Sequence, residues 1–320
     1  MNPSGRHVLL KLPAALLFLL VFAAILTPGL YFAGKQFALS SDGTGWTGAA
    51  PWHGWIEEMR KAPFERYFNR AVMIAALILI WPIARWLGIG GWNTLGLVPD
   101  KNRWRHITLG FFIAATGLIL CGFAFVNLGW VEYRQPTPWG SISLPILTGF
   151  IVASLEEWLF RGLILGLMLR SIRNVPAQIA TAAFFALLHF IKPPEGMGIP
   201  ADQINWGSGF VVLGSIARHL GQVQTFLAEF CTLLAVGLVL GHVRVWTQAL
   251  WLSIGLHAGW VFGVKYFGTL TKNSPELIAG QWMPWAGENL RTGLIPLGVV
   301  LVTWAIVICF TPRSRLKVTG

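Results

Sequence analysis

Stretches of about twenty mostly apolar residues recur along this chain, the length a helix needs to cross the hydrocarbon core of a bilayer. They lie near residues 8–33, 71–90, 106–128, 143–169, 174–191, 223–243, 248–267 and 292–311. In lipid a backbone must satisfy its own hydrogen bonds, so the expected fold class is all-α, a polytopic membrane helix bundle of about eight transmembrane helices. Composition agrees, since 55% of the 320 residues are hydrophobic and 12% charged, far from the balance of a soluble domain. The first stretch is longer than the apolar core of a secretory signal and reads as a membrane anchor. Residues 210–218, FVVLGSIAR, make only half a span and read as re-entrant or interfacial.

The 24 Lys and Arg against 13 Asp and Glu would suit nucleic acid if they formed a patch, but they are scattered between apolar stretches. Arg6 and Lys11, then Arg85, Lys101, Arg103 and Arg105, then Arg170 and Arg173, then Arg244, then Arg313, Arg315 and Lys317 mark alternate connections. The positive-inside rule then puts both termini on the cytoplasmic side and makes the lipid bilayer, with no nucleic acid, the expected partner. Residues 34–70 form an external connection of mixed charge, in which WIEEMRKAPFERYFNR resembles an interfacial amphipathic helix. Cys121, Cys231 and Cys309 lie in apolar stretches without metal spacing and are expected to pack.

Against this background SLEEWLFRG, residues 154–162, is costly. On a helix Arg161 lies four residues after Glu157 and on nearly the same face, so the two can pair, whereas Glu156 points about 100° away. An unpartnered carboxylate in the hydrocarbon region must neutralise or face a polar cavity. Two histidines share these spans, His189 in FFALLHF and His257 in IGLHAGWVF. A carboxylate and two imidazoles inside a membrane can activate a water, the base taking its proton and an imidazole holding the developing oxyanion. They are equally three possible ligands of a catalytic zinc.

EEWLFR at 156–161 and FALLH at 185–189 resemble the E-E-x-x-x-R and F-x-x-x-H motifs of the CPBP intramembrane proteases, which include the type II CAAX prenyl endopeptidases and bacteriocin-processing relatives. His257, on a later span, resembles the third signature. The resemblance implies that Glu156 activates the attacking water, His189 orients it or shares its proton, and His257 stabilises the tetrahedral intermediate. Glu157, Arg161 and Phe185 would support them. The family commonly carries Asn or Asp four residues after the third histidine; here that residue is Val261, which cannot hydrogen bond. Ser253 and the Trp260 indole are the nearest substitutes on that helix face. The cofactor is left open between zinc, held by Glu156, His189 and His257, and a metal-free glutamate mechanism.

The resemblance implies an intramembrane endopeptidase cleaving a membrane-associated or lipidated protein or peptide, placed in a bacterial inner membrane. The alternative is a non-catalytic binding, immunity or transport protein that keeps the fold. The expected organisation is N-terminal transmembrane helices over 1–140, a protease core over 141–268, and a C-terminal loop with the last transmembrane helix over 269–320.

Overall fold

The computed structural model describes residues 3–41, 53–88, 91–190, 193, 197–219 and 226–310; Arg313, Arg315 and Lys317, used for orientation, lie outside them. Every expected span is helical over most of its described residues. The helices are α1 (Pro3–Ser40), α2 (His53–Lys61), α3 (Phe64–Trp86), α4 (Arg103–Asn127) and α5 (Ser143–Glu157). A π-helical segment, Trp158–Ile164, leads from α5 into α6 (Leu165–Ser171). After it come α7 (Asn174–Leu188), α8 (Ser208–His219), α9 (Phe226–Thr247), α10 (Trp251–Leu270), the single turn α11 (Pro275–Ile278) and α12 (Leu294–Phe310). Pro13–Ser40, Phe64–Trp86, Arg103–Asn127 and Leu227–Thr247 are long and apolar enough to cross a membrane. At 15 and 17 residues, α7 and α12 fall short of that length.

Two features depart from the sequence reading. The amphipathic run at 55–70 is two helices, because Pro63 supplies no amide proton and disfavours helical geometry at Ala62. The Ala62 carbonyl accepts from Lys35 Nζ at 2.9 Å, and helix also takes in both ends of the expected 34–70 loop. The all-α expectation omitted a short ribbon, β1 (Val131–Tyr133) antiparallel to β2 (Thr271–Asn273), with Val131 opposite Asn273 and Tyr133 opposite Thr271.

The chain forms two compact units. One holds residues 10–87 and 189–223. In it α1 and α3 pack through Tyr31, Phe64 and Tyr67, and α8 seats Gly209 directly against the Ala24 carbonyl.

The other holds residues 1–9, 88–188 and 224–320, and α10 packs on α4, α5 and α9 within it. Gly255 and Gly259 let α4 lie backbone to backbone on α10: a Cβ there would stand 2.2 Å from the Ile107 carbonyl oxygen and 2.3 Å from that of Phe111. Small residues at four-residue spacing are what close helix contact in a membrane requires. From α10, Leu252, Leu256 and Trp260 join Leu118 and Phe125 of α4 and Leu240 of α9 in the apolar core. α10 is therefore held on several sides, which fixes where His257 points.

Candidate active site

Arg161 and Glu157 are both fully buried, and Arg161 Nη1 donates to Glu157 Oε1 at 2.7 Å. The i, i+4 pairing expected from sequence is present although the helix passes into π geometry immediately after Glu157. Such a segment bonds i to i+5 and commonly marks functional sites. Gly162 lies inside it, where a Cβ would stand 2.8 Å from the Leu95 carbonyl oxygen, so only glycine lets the 92–98 segment come this close. Arg161 Nη2 donates to the Gly237 carbonyl of α9 at 3.3 Å, and its guanidinium lies 4.5 Å from the centre of the Phe185 ring. The arginine thus ties three helices to one carboxylate.

The same carboxylate reaches further than expected. Glu157 Oε1 is 2.9 Å from His257 Nδ1, across 100 residues of sequence. On the other side of the ring, His257 Nε2 lies 3.6 Å from Glu156 Oε2. The two ring nitrogens therefore face the two consecutive glutamates. Phe185 stands edge-on to the imidazole with centroids 6.0 Å apart. Side-chain exposure separates the carboxylates: Glu157 is at 0% and Glu156 at 28%. One is enclosed by its partners; the other is half-buried, and the oxygen it turns to His257 is enclosed.

This geometry fixes roles for the ring atoms. With Nδ1–H donating to Glu157, neutral His257 presents Nε2 as an acceptor, and as a second N–H donor once protonated. The 3.6 Å between Nε2 and Glu156 Oε2 is longer than a hydrogen bond, and that oxygen is itself enclosed by the fold.

The remaining expected residues are placed as follows. Ser253 is buried and its hydroxyl donates to the Leu240 carbonyl at 3.3 Å, so its proton is already committed. Trp260 is 5% exposed and its Nε1 has no hydrogen-bond partner among the described residues. His189 follows Leu188 in a turn, is half-buried and opens the 189–223 segment of the other unit. Among the described residues no group of three or more His, Cys, Asp or Glu side chains is arranged to hold a metal ion. Sequence reasoning missed the Glu157–His257 bond, the π segment and the Gly237 carbonyl; Gly162 directly after Arg161 was the one local signal of a tight approach.

Residues 138–263 match the family model described as type II CAAX prenyl endopeptidase, Rce1-like. The match spans Glu156, Glu157, Arg161, Phe185, His189, Ser253, His257 and Val261. No curated protein and no solved structure matches the chain. Apolar helices long enough to cross a bilayer make it an integral membrane protein, and residues 138–263, which carry the paired glutamates and His257, form a region similar to the CAAX-type prenyl endopeptidases.

Proposed function

We propose that the chain is an intramembrane endopeptidase that hydrolyses a peptide bond of a membrane-associated or lipidated substrate, with Glu156 as the base. The observation that carries this reading is the imidazole of His257 set between Glu157 Oε1 at 2.9 Å and Glu156 Oε2 at 3.6 Å. Glu156, the more exposed carboxylate, takes a proton from a water, and the resulting hydroxide attacks the scissile carbonyl. His257, protonated on both ring nitrogens, donates from Nε2 to the tetrahedral oxyanion while Glu157 balances the ring's charge, and Glu156 returns its proton to the amine as the C–N bond breaks. Arg161 keeps Glu157 in place. His189, four residues beyond Phe185, is assigned to orient the water or share its proton.

The test is cleavage of a peptide library by purified protein in detergent. Glu156→Gln keeps the volume and removes the base, so turnover should fall by about a hundredfold to ten-thousandfold with an unchanged melting temperature. Retained turnover would remove Glu156 from the role.

The non-catalytic alternative rests on Val261 and on the committed Ser253 hydroxyl, which together leave the Trp260 indole as the one free donor among the two substitutes. If that indole has taken over, Trp260→Phe should slow cleavage on the order of a hundredfold and Val261→Asn should do little. A chain inactive on every substrate that gains turnover with Val261→Asn would favour the alternative.

A further inference from the structure

We propose that Arg244 anchors a binding site for the phosphate of an anionic phospholipid at the C-terminal end of α9. Arg244 is 7% exposed, yet it has no hydrogen-bond or ion-pair partner among the described residues. Of its nitrogens Nε is wholly enclosed and the two Nη groups are not, so the residual exposure includes the outer fork that they form. A planar fork presented at its edge matches two oxygens of one phosphate.

The side chain is held for this purpose. Gly96 has a φ of +82°, which favours glycine, and a Cβ there would lie 2.5 Å from Arg244 Nε and 2.9 Å from Nη2, so the guanidinium packs directly on this turn. The segment carrying Gly96 is itself pinned: the Gly96 carbonyl accepts from Leu250 N at 3.0 Å, and the Val98 carbonyl from Trp251 Nε1 at 2.9 Å. A guanidinium in the last turn of a helix gains from the helix dipole, but that gain is several-fold smaller than the penalty of burying a charge without a counter-ion. A missing anion accounts for the difference.

The surroundings select the anion. Arg244 lies three residues before the end of the span Leu227–Thr247, the level at which lipid phosphates sit. From Gly96 the chain continues into the first turn of α4, where Lys101, Arg103, Trp104 and Arg105 are exposed. The acidic residue in that stretch, Asp100, is already engaged by the Asn102 amide at 2.8 Å and lies 3.0 Å from His106 Nδ1. A basic rim with tryptophan at a span end is the setting in which anionic headgroups bind.

The test uses the full chain in a neutral detergent with phosphatidylglycerol, phosphatidylcholine, sodium phosphate or acetyl-alanyl-alanine added at equal anion concentration. Melting temperature and lipid retained in native mass spectrometry are the readouts. Phosphatidylglycerol should bind at least about tenfold more tightly than phosphatidylcholine and raise the melting temperature. Arg244→Met should reduce that preference to about twofold, Arg244→Gln should do the same, and a Lys101→Ser, Arg103→Ser, Arg105→Ser variant should keep the part that depends on Arg244. Equal retention of the two lipids by the wild type would overturn the proposal without any variant. So would undiminished preference in both Arg244 variants, or stabilisation by phosphate or the peptide carboxylate and not by the lipid.

Discussion

Arg161 and Arg244 are the same residue type, both buried in one unit and both packed against glycine-permitted backbone, yet their surroundings are opposite. Arg161 has a carboxylate at 2.7 Å, a carbonyl at 3.3 Å and an aromatic face at 4.5 Å. Arg244 has a glycine against its guanidinium and no polar partner among the described residues. Burial by itself therefore says little about what a charge does here. A charge whose partners come from its own chain organises a site, whereas a charge without them points to something the chain does not contain.

The sharpest way to break that contrast is to delete each guanidinium in neutral detergent without anionic lipid. Arg161→Met leaves the Glu157 carboxylate buried beside His257 alone and should cost about 3–5 kcal/mol in chemical denaturation, with cleavage lost as well. Glu157→Gln should destabilise on the same scale, because it orphans the arginine instead. A melting temperature equal to that of the wild type in either variant would dissolve the ion pair as an organising element.

A smaller effect tests whether the glycine contacts of α10 position His257. Gly259→Ala puts a methyl group where the Phe111 carbonyl oxygen lies 2.3 Å away. The helices must separate, for about 1–3 kcal/mol, and cleavage should fall together with stability. Loss of stability with full activity would show that the imidazole is held by Glu157 and not by the packing of α4 on α10.

The smallest effect is expected at Arg244. Without lipid, Arg244→Met should lie within about 1 kcal/mol of the wild type or above it, since removing an unpaired buried charge also removes its desolvation cost. A loss as large as that of Arg161→Met would mean that Arg244 is satisfied within the protein, and the two arginines would no longer differ in kind.

Much of the site was legible before any coordinates. Glu157 and Arg161 are four residues apart, and helix periodicity alone brings them together. The polar residues stood out because their neighbours are apolar and lipid makes charge expensive, so SLEEWLFRG and the two histidines could be singled out from composition. The bond from Glu157 to His257 was not legible, because nothing local at either residue specifies a partner 100 residues away. The commitment of Ser253 to the Leu240 carbonyl was equally hidden, for that oxygen belongs to a different helix.

The sequence by itself determined that the chain is a membrane helix bundle, in which stretches its apolar helices lie, and which side chains are too costly to be idle. Those properties follow from hydropathy and periodicity, which are sums over neighbouring residues. Only the tertiary structure decided that the helix after Glu157 is π, that one carboxylate oxygen serves both Arg161 and His257, and that of two buried arginines one is paired and the other is not. These depend on the approach of α4, α9 and α10 to within a few ångströms, set by glycines whose effect appears only once the facing backbone is in place.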